Sequence, residues 1–296
     1  MNANRTTTGR RSPGRGPLLA AAGLALAAAG CARGKGAGDL LDYTRSAEAL
    51  FEEAMEEFDD EDCVEADKIF LEVRRKFPYS RFAPLAELRT ADCQFIQGNN
   101  AEATVSYQQF VKAHPTHEEA HYAAFRRGLA FYEMIPGDWI ITPPPHERDQ
   151  AATRDARTAL FHFLRTYPRS EHVERATELL DEVEDALVRH EMYVAEFYLS
   201  RDQQNAAAVR LEAVRESFPE ASLVPDAMFL QAVTYLAMDR LGEAERVFGE
   251  IIEHYPDHHQ ARRAEDYLAH LARRGGSEGG APDGDGAHKE NRGEDG

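Results

Sequence analysis

The chain has 296 residues, 43% of them apolar and 29% charged, with a formal net charge of -18. That is enough material for one elongated domain or two compact ones with unpacked ends. So acidic a surface repels phosphates, which argues against nucleic acid as a partner, and solvation of a large surface accounts for the charge itself.

Residues 1–16 are polar and basic (Arg5, Arg10, Arg11, Arg15), and residues 17–30 form an apolar Ala/Leu stretch that ends in Ala28-Ala29-Gly30-Cys31. A basic region, a short apolar region and a small-residue cleavage site read as a signal peptide over 1–30. The stretch is shorter than the about 20 apolar residues that span a bilayer. Its removal, with four arginines and no acid, takes the formal charge from -18 to -22. Small residues before Cys31 resemble the bacterial lipobox, with Ala28 standing where that pattern prefers Leu. The resemblance implies that the Cys31 thiol is diacylated and becomes the new N-terminus. Two or three acyl chains anchor a protein stably where one does not. Ala32 follows Cys31, and resemblance to sorted lipoproteins implies delivery to the outer membrane, with the body on its periplasmic face. Residues 31–43 are expected to form the lipidated end and a flexible tether.

From residue 44 to 274 one register recurs: Ala, an apolar residue at +4, another at +7, an aromatic at +11 and Pro at +12. Its five copies begin at Ala66, Ala103, Ala156, Ala207 and Ala244, and end at Phe77-Pro78, His114-Pro115, Tyr167-Pro168, Phe218-Pro219 and Tyr255-Pro256. Only His114 breaks the aromatic column. Offsets of 4, 7 and 11 lie on one face of an α-helix, and proline both lacks the amide donor and disfavours helix in the residue before it. Each copy is therefore an amphipathic helix that stops abruptly. A partner helix precedes it, marked by a small residue twelve positions earlier and an apolar one four later: Ala54/Phe58, Ala91/Phe95, Ala195/Leu199 and Ala232/Leu236. Turn residues separate the two, as in Gln97-Gly98-Asn99-Asn100. The unit is a helical hairpin of about 37 residues, close to the tetratricopeptide period of about 34. The expected fold is all-α, a tetratricopeptide-like α-solenoid of five helix-hairpin repeats, stacked because one hairpin cannot bury its own stripe, with a concave groove.

The period fails twice. In the third repeat the small residue is Gly128, and 28 positions separate it from Ala156 in place of 12. The resulting insertion, about 134–150, holds Trp139 and Pro143-Pro144-Pro145 and is expected to be a loop. Trp139 is a candidate partner anchor, since aromatic residues often are; packing of the loop onto the solenoid is the alternative. Between Pro168 and Ala195 the chain is 14 residues longer than the regular step, and the extra residues, near Glu174 to Leu187, are helix formers that should lengthen a helix by about four turns. Residues 275–296, rich in Gly, Asp and Glu, are expected to be a disordered acidic tail.

Catalytic signals are weak. His117-Glu118-Glu119-Ala120-His121 matches the zinc-peptidase pattern HExxH. The repeat already accounts for Ala120, which sits five after Pro115 as Ala83 does after Pro78, and no third ligand is evident. His254, His258 and His259 read as solvated residues near a helix end. No nucleophile elbow or phosphate loop occurs. The expectation is no enzyme, no cofactor and no metal. Cys63 and Cys93 are open to either reading, a structural disulfide in an oxidising compartment or free thiols.

Several runs are more specific than the repeat: Ala124-Phe125-Arg126-Arg127-Gly128-Leu129, Arg148-Asp149-Gln150, Ala159 to Phe163 with Tyr167-Pro168-Arg169-Ser170, and His190-Glu191-Met192-Tyr193-Val194-Ala195-Glu196-Phe197-Tyr198 through Arg201 and Arg210. His114-Pro115-Thr116-His117 belongs with them. Over roughly residues 44–260 these resemble the BamD family, the lipoprotein of the outer-membrane β-barrel assembly machinery. The resemblance implies a scaffold whose first repeats receive the targeting strands of unfolded barrel clients and whose later repeats dock a POTRA domain of the central barrel protein, with other assembly lipoproteins as further partners. It also implies partner contact at Tyr198, Arg201 and Arg210, with Arg210 paired to an acid of the POTRA domain. The competing readings are a Tol-Pal-associated coordinator of envelope constriction and a generic lipoprotein adaptor. The coordinator family places heptads before about three repeats, and there is no room for heptads between Cys31 and the first repeat.

Overall fold

In the computed structural model, residues 35–137 and 143–278 are described, with side chains over 40–137 and 143–273. Among them the secondary structure is helical throughout. The elements are α1 (Lys35–Asp59), α2 (Cys63–Lys76), α3 (Phe82–Ile96), α4 (Asn100–Ala113), α5 (Ala120–Tyr132), α6 (Ala151–Thr166), α7 (Val173–Leu199), α8 (Gln204–Ser217), α9 (Val224–Ala237), α10 (Leu241–His254) and α11 (His259–Glu278), with one 3-10 turn at Pro145–Glu147. Two compact units meet at Asp42 and Tyr43. The first is described only as the opening residues of α1, and the second holds the hairpins.

Sequential helices pack on one another from α2 to α11, and α5, α7, α9 and α11 also meet alternate neighbours in turn. This is a tetratricopeptide-like solenoid of five hairpins, α1–α2 through α9–α10, with α11 closing the last. The register decides what is inside. Ala, +4 and +7 of all five copies, from Ala66, Phe70 and Val73 to Ala244, Phe248 and Ile251, are 0% exposed. The small partner residues Ala54, Ala91, Ala195 and Ala232 are 0% exposed as well. The core is a series of clusters that cross hairpin boundaries, such as Phe125, Leu160 and Phe163 with Leu179 and Val183, and the last of them joins α7 to α11. That is how a solenoid shares apolar burial between neighbours.

The helix ends follow from local chemistry. Each +11 residue is the C-cap of its helix, at φ between -136° and -124° and ψ between 51° and 56°, and its N–H still reaches the +7 carbonyl. The following proline disfavours helical geometry at that residue, so the helix stops there. Within hairpins one and two and four and five, the turn has one residue in the left-handed region: Glu61 (φ 59°), Gly98 (φ 75°), Asp202 (φ 56°) and Asp239 (φ 58°). Around Gly98 the N–H of Gly98 bonds Phe95 O at 3.0 Å and the N–H of Asn99 bonds Gln94 O at 2.8 Å, which satisfies two orphan carbonyls of the helix end.

The tether differs from expectation. Residues 35–43 continue α1. No proline lies between Pro17 and Pro78, and a helix already held by Ala47 and Ala54 extends at low cost because nucleation is the expensive step. Similarly α11 runs to Glu278, past the boundary at 274. Residues 1–34, where the signal peptide and the lipidated Cys31 are expected, and 279–296, most of the expected tail, lie outside the described residues.

The two failures of the period meet in space. α7 has 27 residues, where α3, α5 and α9 have 15, 13 and 14. α7 receives the insertion: His146 O lies 2.7 Å from His190 Nδ1 and the His146 ring meets Tyr193 edge to face at 5.4 Å, while Tyr132, at the end of α5 just before the insertion, donates from Oη to Glu182 at 2.5 Å. The loop also holds itself, with Arg148 Nε donating to Pro143 O (2.6 Å) and Gln150 Nε2 donating to Pro145 O (2.8 Å). Two cavities, of about 430 Å³ and about 340 Å³, share Ile135, Pro136 and, from α7, Ala186 and Arg189 in their linings.

Candidate partner-binding site

The α7–α8 hairpin carries three of the four partner-contact residues read from the sequence. At its tip, helix α7 ends at Leu199 and Asp202 turns the chain. Arg201 lies with its guanidinium 3.6 Å from the centre of the Phe197 ring, and Phe197 meets Tyr198 edge to face at 6.0 Å. Tyr198 is half-buried against the core of the last two hairpins, while Phe197 is 46% exposed. Stacking on a ring holds a long cation in one place at little cost to its charge. The tip thus presents an exposed aromatic face and a fixed cation together.

Arg210 stands apart from that cluster, on α8. Its side chain is 48% exposed, and Nη1 donates to Glu191 Oε2 of α7 at 3.0 Å. The fold therefore gives Arg210 an acid of its own chain. Its neighbour Val209 is 66% exposed. Trp139, the fourth residue, lies outside the described residues.

The His190–Tyr198 run now divides by task. His190 and Tyr193 hold the insertion, Glu191 holds Arg210, Ala195 fills the repeat column, and Phe197 and Tyr198 form the tip.

A second polar cluster escaped the sequence reading. Asp92 of α3 is 1% exposed. It accepts from Arg89 at 2.6 Å, Tyr107 Oη at 2.6 Å and Tyr122 Oη at 3.0 Å, and Arg126 of α5 lies 3.6 Å away. Arg126 also donates to Tyr107 Oη (3.2 Å) and stacks 4.1 Å over Phe95. Burial, then the Asp92 charge, pushes the Tyr107 phenol up, and the same two causes take Tyr122 up to about 12. Burial alone would lower the arginines, but Asp92 holds Arg89 above its ordinary value and the Tyr107 phenol, first, does so for Arg126. The sequence does not single Asp92 out, since an acid follows other repeat alanines too, and Glu196 after Ala195 and Glu245 after Ala244 are exposed. A buried acid needs partners, and α4 and α5 supply them.

HExxH is not a helical pair here. His117 sits in the turn before α5, where its Nδ1 accepts the Glu119 N–H at 3.1 Å, and His121 Nδ1 lies 3.0 Å from Ser170 Oγ across the α6–α7 turn. Cys63 and Cys93 are both buried and free. Burial raises both thiols.

With this arrangement in view, the comparisons with known proteins are specific. A family model described as outer membrane lipoprotein, YfiO, matches residues 44–247. The chain is 32% identical to the outer membrane protein assembly factor BamD of Caulobacter vibrioides, over 77% of this chain and 72% of that one. It is 28% identical to BamD of Neisseria meningitidis serogroup A, over 68% and 74% of the two chains, and 24% identical to that of Xylella fastidiosa strain 9a5c, over 65% and 67%. Among solved structures it is similar to the TPR2AB domain of yeast Sti1 in its pHSP90 complex, at 10% identity over 79% of this chain and 86% of that one, with a TM-score of 0.42. The match of the family model to most of the hairpin stack shows that the chain belongs to the YfiO family of outer membrane lipoproteins, the family of the assembly factor BamD.

Proposed function

We propose that this protein is a lipid-anchored scaffold on the periplasmic face of the outer membrane and that it works in β-barrel assembly by binding, not by catalysis. The observation that carries the reading is the hairpin α7–α8, where family resemblance, exposure and charge coincide: an aromatic face at Phe197 and Tyr198, a stacked Arg201, and Arg210 with part of its guanidinium open to solvent. Arginine and aromatic side chains dominate binding energy at protein interfaces. This hairpin would dock a POTRA domain of the central barrel protein, with an acid of that domain sharing Arg210 with Glu191. The first hairpins would take the targeting strand of an unfolded barrel client, whose backbone and alternate side chains suit an extended binding mode. Other assembly lipoproteins are further partners, and Cys31 would carry the acyl chains that keep the scaffold at the membrane.

Cross-linking in membranes followed by capture of this protein tests the reading. A POTRA-bearing barrel protein is expected among the partners, and its capture should fall at least about tenfold with Arg201→Glu plus Arg210→Glu, as removal of interface hot spots does. Absence of any POTRA-bearing protein from the captured set refutes it. Loss of membrane sedimentation in Cys31→Ser tests the anchor separately.

A further inference from the structure

We propose that Asp226, His258 and His259 bind a divalent transition-metal ion of the zinc type, and that the ion clips α11 to α9 at the end of the stack. Asp226 stands in the first turn of α9, His258 in the turn after α10, and His259 opens α11. The fold brings them together although the sequence separates the acid from the imidazoles by more than thirty residues. Among the described residues this is the one place where three such ligand atoms lie within 4.8 Å of one another.

The distances favour a shared ion over direct pairing. His258 Nε2 is 3.6 Å from Asp226 Oδ2, and His259 Nε2 is 3.4 Å from Oδ1. Hydrogen bonds between such groups are about 2.7–3.2 Å, so both contacts are long. Two ligands held about 2.0–2.1 Å from a tetrahedral zinc stand about 3.3–3.4 Å apart, close to the His259–Oδ1 separation, while His258 faces the other oxygen, so the carboxylate would bind through both oxygens or turn to present one. The pocket is also oriented from behind. Gln260, 5% exposed, donates from Nε2 to Asp226 Oδ1 at 2.8 Å, and Arg263 in turn holds Gln260 Oε1 at 3.0 Å while stacking on Phe229. Fixing a ligating carboxylate in this way is what metal sites use to set ligand direction.

The Gln260 N–H donates to His258 Nδ1 at 3.3 Å, which leaves the proton of the neutral ring on Nε2. Binding an ion at Nε2 moves that proton to Nδ1 and gives up this long contact; no bond is broken otherwise and no electrons move. A cavity of about 480 Å³ lined by His258, His259, Asp257, Arg262 and Glu265 opens beside the two imidazoles. His259 is 64% exposed, so water completes the coordination, as in open three-ligand sites. Of the helices that precede it, α11 packs on α10 and α9, and an ion joining α9 to the start of α11 adds a second tie between them.

The test uses the full chain without an affinity tag, stripped with EDTA and titrated with zinc chloride by calorimetry, with hydrogen exchange of α11 followed in parallel. One equivalent is expected, weakened at least about tenfold by each of Asp226→Asn, His258→Ala and His259→Ala, and unchanged in His117→Ala. Zinc should slow exchange in α11 of the parent and not of Asp226→Asn. His259→Ala is the safe variant, since that side chain is exposed and its loss leaves the fold alone, as far-UV circular dichroism would verify. No binding at about 1 mM zinc, or full-strength binding in all three variants, overturns the proposal. So does a single equivalent that disappears in His117→Ala instead.

Discussion

Arg210 Nη1 and Glu191 Oε2 lie 3.0 Å apart, joining α8 to α7 across the fourth hairpin, with the arginine still 48% exposed. A guanidinium has several donors in a planar fork, so one carboxylate does not exhaust it. An exposed pair of this kind contributes about 0–1 kcal/mol to stability. Arg210→Glu is therefore expected to lower the midpoint of thermal unfolding by no more than about 2–4 °C, while capture of the barrel partner falls at least about tenfold. Glu191→Gln should leave capture intact. A large drop in melting temperature for Arg210→Glu would mean that the pair is structural instead.

Asp92 is the opposite case, an acid at 1% exposure shared by two arginines and two tyrosines. Asp92→Ala leaves Arg89 and Arg126 partly buried beside each other without their anion, which costs about 3–5 kcal/mol. Urea unfolding measures it; a loss under about 1 kcal/mol would show that the arginines find water.

Gly128 replaces the repeat alanine because Leu160 comes too close. A Cβ at position 128 would meet Leu160 Cδ2 at 2.7 Å and Cγ at 3.0 Å, and Leu160 is 0% exposed with nowhere to move. Gly128→Ala is expected to cost about 1–3 kcal/mol by overpacking. In Leu160→Ala the same substitution should cost much less, and additive effects in the double variant would contradict the contact.

His172 stacks on Phe125 at 4.7 Å and 11°, and burial first holds its imidazole below the ordinary histidine value, against the charges of Glu171 and Glu119 and with those of His121 and Arg126. The folded protein thus prefers the neutral ring. Below about pH 6.5 the unfolded chain protonates first, so this contribution to stability is present above that pH and is lost as pH falls towards the depressed folded value. Stability measured from pH 7 to 5 should decline less steeply in His172→Gln than in the parent. Equal slopes would place the sensitivity elsewhere.

Glu61 carries φ 59° in the turn between α1 and α2, where Gly98 sits at φ 75° in the next hairpin. A left-handed backbone costs a residue with a Cβ about 1–2 kcal/mol, and glycine escapes that while losing more freedom on folding. Glu61→Gly is expected to stabilise the first hairpin by up to about 1 kcal/mol, read from the urea midpoint, and a destabilised variant would show that the side chain contributes more than its strain.

Much of this fold was legible before any coordinate. An alanine with apolar residues at +4 and +7 fixes a helical face because each residue turns the chain by a constant angle, and all fifteen of those positions are 0% exposed. Proline at +12 stops each helix through its own ring, and the missing period around Gly128 and before Ala195 told of a loop and a long helix. These are consequences of neighbours along the chain. What the tertiary structure decided lies between helices: that the long helix exists to receive the loop, that Arg210 already has Glu191, that Asp92 gathers Arg89, Tyr107, Tyr122 and Arg126, and that Asp226 meets His258 and His259. Periodicity says which face is buried and nothing of which polar side chain stands opposite. That depends on the axial register of packed helices, where a shift of one residue, about 1.5 Å, makes or loses a hydrogen bond.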